Sequence, residues 1–374
     1  MAGISSKHIF RADHVGSFVR PGRLIEAARA HRAGTLSADD FREIQDQCIA
    51  EIAAFQDAIG MPSITDGEFR RAVWSGGVIN ALEGMGVRDE GTLSFKNTDG
   101  AVFMPPSPYA EAKLRRRGTI VADDYRYLRS LGPKGLPKVT LASPPVLHFF
   151  LGDASFDKSA YPDRDAYFNH LAAIYRDEIA DLAEAGCTYV QLDDTALPCN
   201  CDAAARAAIQ SRGEDADALT DAYIGLINDA LAARPDTMTI GLHMCRGNLK
   251  GMWMGEGSYE PIADALFNQL NVDTFFLEHD TDRAGDFAPL RHLPKGKLAV
   301  LGLISAKTPE LEDKSRIKAR IDAAARHVPL EQLALSPQCG FSSGGGSGQV
   351  VDQTDTRRKL DLVVEIAEEV WGSL

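Results

Sequence analysis

The chain has no run of about 18 apolar residues, so no membrane-spanning helix is expected. Residues 1–7 lack the apolar core of a secretory signal, and the cytosol is the expected compartment. Positive charge is in deficit: 40 Lys and Arg stand against 53 Asp and Glu, a formal net charge of −13. Such a surface argues against nucleic acid and anionic membranes as partners, while leaving room for a small anion in a local basic pocket. Cysteine is scarce, six in 374 residues, and no pair has zinc-finger spacing. In a chain of this size without a signal, metal binding or catalysis is a better use of cysteine than disulfides. Cys48 and Cys187 sit in apolar helical stretches and read as small core residues. Cys199-Asn200-Cys201 is a half-site without a second half nearby. The Gly/Ser run at 342–348 lacks the Gly-Lys-Ser/Thr ending of a phosphate loop, so nucleotide binding is not expected.

What the chain does have is repetition of strand and helix. Short apolar runs lie at residues 8–14, 63–66, 138–142, 188–193, 239–243, 274–278, 298–304 and 333–336. They are rich in Val, Ile, Leu, Thr and Phe with little polar alternation, the pattern of strands buried on both faces of a parallel sheet. Helical periodicity lies between them, at 39–59, 165–185, 217–233, 260–269, 310–325 and 355–371. Eight such alternations predict an α/β protein, a (β/α)8 TIM barrel forming one domain over 1–374. An open doubly wound sheet is the alternative, but the phosphate fingerprint it needs after the first strand is missing. Residues 75–137 break the alternation with Gly, Asp, Asn and Pro, and read as an insertion covering the site, with hairpin strands around 92–95 and 101–104.

In a barrel the C-terminal strand ends ring one opening, where active sites sit. Here those ends carry polar groups: Arg11, Asp13 and His14, then Glu68, Asp193 and Asp194, His243 and Cys245, Glu278, Lys307, and Cys339. Two positions apart on an extended strand, His243 and Cys245 face the same side. A histidine, two cysteines and a carboxylate suit zinc, whereas magnesium or calcium would take oxygens alone. Positions 243, 245, 278 and 339 are far apart in sequence, so the fold must assemble them. On residue chemistry alone a zinc site and a set of merely buried side chains both remain open.

Several segments resemble the catalytic C-terminal barrel of the cobalamin-independent methionine synthase family: Asp13-His14-Val15-Gly16-Ser17-Phe18, Asp66-Gly67-Glu68, Gln191-Leu192-Asp193-Asp194, His243-Met244-Cys245, Leu277-Glu278 and Gln338-Cys339-Gly340. The resemblance implies Zn2+ held by His243, Cys245, Glu278 and Cys339. It implies that Val15 and Ser17 contact an amino-acid carboxylate and that Glu68 and Asp193 hold its amino group. The implied reaction is methyl transfer from 5-methyltetrahydrofolate, or its polyglutamyl form, to homocysteine, giving methionine.

Three departures qualify this. Full-length family members carry a second barrel. Where the family stacks a Trp on the pterin, this chain offers Phe150. Where the family has a His proton donor, it has Lys307, a poor acid unless its pKa is lowered. These features also resemble single-barrel relatives such as epoxyalkane:coenzyme M transferases, in which Arg11, Arg246 and Lys307 would contact an anionic thiol. The expected partners are therefore a small thiol and a methyl or alkyl donor, with Asp193 and Lys307 as catalytic candidates and His14 beside the substrate. A homo-oligomer is compatible with this reading, and a non-catalytic thiol- or amino-acid-binding protein is the remaining alternative.

Overall fold

The computed structural model describes residues 8, 10–342, 344 and 349–374. Six of the expected strands form one parallel sheet in sequence order: Val139–Ala142, Tyr189–Asp194, Thr239–Met244, Thr274–Glu278, Leu298–Ile304 and Leu333–Pro337. Every residue in these strands is buried, as unalternating apolar runs require. The other two runs are thinner than expected. Among the described residues of the first, only Ala12 is bridged, in parallel to Leu335, and Ser63–Ile64 pairs in parallel with Leu136–Pro137 just before the sheet begins. The ladders therefore show an α/β protein built on a parallel sheet, without drawing a continuous eight-stranded closure.

Side chains join the first two runs where backbone pairing is sparse. Asp13 Oδ1 accepts from Ser63 Oγ (2.6 Å) and Lys138 Nζ (2.7 Å), and Asp13 Oδ2 accepts from the Tyr189 hydroxyl (2.7 Å). Thr65 Oγ1 donates to the Gly16 carbonyl (2.7 Å). The Lys138 side chain is fully buried, and an unpaired ammonium there would cost several kcal/mol. Its contacts to Asp13, the His14 carbonyl and Gln191 Oε1 (3.2 Å) supply the compensation.

Helices cover the sheet, starting where acidic or hydroxyl side chains cap them. Ser37 caps Ala38–Ile59, Asp163 caps Arg164–Glu184, Asp215 caps Ala216–Ala230, Asp313 caps Lys314–Ala324 and Asp352 caps Gln353–Trp371. Each such cap contributes about 1 kcal/mol. After Thr274–Glu278 the connection holds two short 3-10 turns instead of an α-helix. Between Ser63–Ile64 and Val139–Ala142 lie an antiparallel hairpin, Leu82–Arg88 with Ser107–Arg116, and a smaller one, Phe95–Lys96 with Val102–Phe103. Among the described residues no helix is long and apolar enough to cross a membrane. The Gly/Ser run lies largely outside the described residues.

Candidate metal centre and substrate cavity

His243 and Cys245 leave the end of the Thr239–Met244 strand, and Cys339 follows the end of Leu333–Pro337. One ligand atom from each lies within 4.8 Å of the others, and all three residues are buried. The imidazole is fixed on both sides: Nδ1 lies 3.1 Å from Asp193 Oδ1 and Nε2 lies 3.1 Å from the Gln338 carbonyl. Burial opposes charge on this ring, but Asp193 and the Cys339 sulfur outweigh it and raise the His243 pKa to about 8. A hydrogen bond from Cys245, against the opposing pull of burial and with help from His243 and Lys307, brings Cys339 down to about 7. Cys245, as the hydrogen-bond donor, is pushed well above the usual thiol range. The polypeptide thus already favours a cation facing a thiolate. Two sulfurs and an imidazole nitrogen converging at this separation fit a borderline-soft metal ion.

Glu278 is not part of this group. Its Oε2 accepts from the Arg246 backbone N–H (2.7 Å), and its Oε1 lies 3.1 Å from Lys307 Nζ. Although burial opposes ionisation, Lys307 and Arg246 hold Glu278 below the ordinary carboxylate range. Of the four expected ligands, the structure brings three together and places the fourth in an adjoining ion pair.

A cavity of ≈ 450 Å³ opens beside the cysteines, and Val15, Ser17, Glu68, Phe150 and Asp193 line it. Asp193 bridges metal group and cavity: it pairs with His243, and its Oδ1 also accepts from Gln191 Nε2 (2.7 Å). Glu68 sits on a left-handed turn (φ 63°) and accepts from Thr140 Oγ1 (3.0 Å) and Arg71 Nε (3.2 Å). Glycine is required at 340, because a Cβ there would collide with Ser17 Oγ.

Four expected substrate or catalytic residues are elsewhere. The Arg11 guanidinium donates to the Glu331 and Leu333 carbonyls (3.0 and 2.8 Å), at the opposite end of its strand neighbour. Arg246 turns away, donating to the Gly257 carbonyl (2.6 Å) with its guanidinium 4.1 Å above the Tyr259 ring. His14 packs below the cavity, with Nε2 3.1 Å from the Ser63 carbonyl, and burial lowers its pKa to about 3. Lys307 pairs with Glu278 and with Asp280 (3.3 Å). Burial pulls the lysine pKa down, but those carboxylates prevail and raise it, the reverse of what a proton donor needs.

Three lining residues were not singled out from the sequence: Trp74, Phe95 and Phe103. Trp74 follows Asp66-Gly67-Glu68 by a few residues, and a tryptophan in a loop after a strand end was the available signal. Asp194, pushed to about 6 by burial despite hydrogen bonds from Ser143 and backbone N–H groups, was recognised only as a strand end. A second histidine–carboxylate group, His148 with Asp153 and Glu214, lies off this cavity. There Arg212 Nε lies 2.7 Å from Glu214, so a guanidinium already supplies the positive charge.

Residues 10–369 match the model of the cobalamin-independent synthase catalytic domain. The chain belongs to that family. It is accordingly a transferase. It is 39% identical over 365 residues to the uncharacterized protein YxjH of Bacillus subtilis, covering 97% of this chain and 95% of that protein. It is 25% identical to a methionine synthase of Pyrococcus abyssi, over 87% of this chain and 85% of that one. A solved structure, the putative vitamin-B12 independent methionine synthase of Listeria monocytogenes, aligns with TM-score 0.73 and 32% identity over 98% and 99% of the two chains. A B12-independent methionine synthase from Shewanella, solved with selenomethionine, shares the fold at TM-score 0.70 and 19% identity, with 90% of each chain covered.

Proposed function

We propose that this family member transfers a methyl group to the sulfur of homocysteine, using Zn2+ held by His243, Cys245 and Cys339. The observation that carries the reading is the convergence of those three side chains beside a cavity that also holds Glu68 and Asp193. Three protein ligands leave a coordination position for a substrate sulfur. Zinc held there would act as a Lewis acid, lowering the pKa of a coordinated thiol so that its proton is lost to solvent at neutral pH, where a free thiol of pKa ≈ 8.5 is only a few per cent ionised.

The protein's own groups do the remaining work. Asp193 keeps the His243 ring oriented, a role that commonly controls metal affinity. Glu68, held by Arg71 and Thr140, and Asp193 present carboxylates to the acceptor's ammonium group. Ser17, beside Gly340, offers a hydroxyl to its carboxylate. We infer also that the eight strand segments close as one (β/α)8 domain, with 75–137 as the insertion over the opening.

The names of the methionine synthase relatives support homocysteine as the acceptor and methyl-folate as a donor to test. The alternative acceptor, a sulfonated thiol such as coenzyme M, is disfavoured by the position of the three cations assigned to it: Arg11, Arg246 and Lys307 are all engaged outside the cavity. The test is metal content and product formation. One zinc per chain, with methionine formed from homocysteine, agrees with the reading. Full zinc retention by Cys339→Ala, or alkylation of coenzyme M in preference to homocysteine, would refute it.

A further inference from the structure

Three loops that strand pairing holds only sparsely carry one side of the cavity. Ser17 follows the first apolar run, Glu68 follows Ser63–Ile64, and Cys339 and Gly340 follow Leu333–Pro337. Among the described residues, the first run bridges the sheet only at Ala12, and the second pairs over two residues. The distance from Glu68 and Ser17 to the cysteines therefore depends on ties between the loops themselves. Backbone bonds supply part of these: Phe18 N–H donates to the Gly67 carbonyl (3.1 Å), and Phe341 N–H donates to the Ser17 carbonyl (2.9 Å). Both run through the loop that carries Ser17.

Arg20, at the end of that loop, ties the other two to each other. The residue is only 8% exposed. Its Nη1 donates to the Ser342 carbonyl (3.0 Å) and to Ser342 Oγ (2.9 Å), shortly beyond Cys339. Its Nη2 donates to the Glu68 carbonyl (3.0 Å) and to the Arg71 carbonyl (2.7 Å). Each terminal nitrogen carries two N–H groups, so these acceptors engage all four. A planar, rigid fork thus fixes the separation of the two loops. Its grip on the Glu68 carbonyl has a particular consequence. Glu68 has φ 63°, a left-handed backbone that a residue with a Cβ adopts rarely and keeps only where its surroundings enforce it. From that turn Glu68 lines the cavity, where Thr140 Oγ1 and Arg71 meet its carboxylate.

Resting on the proposed homocysteine methylation, we propose that Arg20 is a positioning residue for the acceptor: it sets the Glu68 turn at the distance from the Cys339 loop that homocysteine spans between its ammonium group and its sulfur. Arg20 is not part of the cavity lining and acts through the loops it joins. Without the fork, the Glu68 turn relaxes and the 339–342 loop drifts from it, so the two ends of the acceptor are no longer gripped together. Acceptor binding weakens, while the reaction of an acceptor once seated is little changed. A lysine at this position keeps the positive charge, but its single nitrogen cannot reproduce a fork that holds both loops.

The test compares Arg20→Lys and Arg20→Met with the wild type and with Arg29→Met, an exposed position on Gly22–Arg32 that serves as control. Calorimetry on zinc-loaded protein reads homocysteine affinity without turnover, and methionine formation from 5-methyltetrahydrofolate separates KM from kcat. Both Arg20 variants should bind homocysteine about tenfold more weakly and raise its KM to match, with zinc content unchanged and kcat within about threefold of wild type. The control should match the wild type. Should Arg20→Met fail to fold, Arg20→Lys carries the comparison. In Arg20→Ala, added methylguanidinium should recover part of the lost affinity and methylammonium should not, a difference that support of the fold by charge alone would not produce. Wild-type affinity in Arg20→Lys overturns the proposal, as does a parallel fall in zinc content and kcat. Homocysteine left unbound by the wild type overturns both this inference and the reading it rests on; bound equally by wild type and variants, it overturns this inference alone.

Discussion

Gln191 provides the sharpest test of how the metal group is held. Its buried amide donates to the Val15 carbonyl (2.6 Å) and to Asp193 Oδ1 (2.7 Å), and accepts from Lys138 Nζ (3.2 Å). Gln191→Leu keeps much of the volume and removes all three bonds. Two of them involve charged partners, each worth roughly 1.5–3 kcal/mol, and the Val15 carbonyl is left buried and unpaired at roughly 1–3 kcal/mol more. Allowing for partial relaxation, we expect a loss of about 4 kcal/mol, read from urea unfolding of the metal-free protein. Asp193 also loses the donor that fixes the oxygen facing His243, so zinc affinity in chelator competition should fall about 10–100-fold. Gln210→Leu, an exposed helical position, serves as the control and should change neither quantity. A destabilisation under about 1 kcal/mol with unchanged zinc affinity would show that this hydrogen-bond network does not support the site.

Three further outcomes follow from the geometry. Lys307→Met removes the ammonium paired with Glu278 and Asp280 and leaves buried carboxylate charge, so stability should fall by about 3–5 kcal/mol; an unchanged unfolding midpoint would contradict the ion-pair assignment. His14 is held at about 3 in the folded state against an ordinary value of 6.5, so the unfolded chain binds a proton that the folded chain refuses. The effect is absent above pH 6.5 and destabilises as pH falls toward 3, by about 3 kcal/mol at pH 4.5; His14→Gln should flatten that part of the stability profile. Asp193→Asn should raise the KM for homocysteine and weaken zinc together, whereas Glu68→Gln should raise KM with zinc affinity unchanged. An identical pattern in the two variants would contradict the shared role of Asp193.

The sheet was legible because its strands are buried on both faces and hide few polar residues, as Leu298–Ile304 shows. The helices were legible at 39–59 and 355–371, where apolar spacing meets an N-cap and a C-terminal glycine. The first strand was overestimated because 8–14 has strand composition, yet Asp13 and His14 are drawn into a buried polar cluster and, among the described residues, only Ala12 bridges. The helix Gly22–Arg32 was missed because it starts at Pro21 without a side-chain cap and buries only Leu24 and Ala27.

At the site, the sequence identified residues at strand ends but not the directions of their side chains. His243, Cys245 and Cys339 converge as their spacing and strand positions suggested. Arg11 and Arg246 show the limit, since a long cation reaches whichever carbonyl or ring is nearest, and here those lie away from the opening. The hairpin around 92–95 and 101–104 was expected within the insertion over the site, but which of its side chains face the cavity, Phe95 and Phe103, is a tertiary outcome that no periodicity announces.

His243 and Cys245 come from the end of one strand, while Cys339 arrives 94 residues after Cys245, beyond three further strands of the sheet. A nascent chain emerging from the ribosome therefore exposes at most a two-point grip on a passing ion until nearly all of it has been synthesised. For the zinc site proposed above, loading would come last in maturation, and a truncated or stalled product would hold no finished site for the metal.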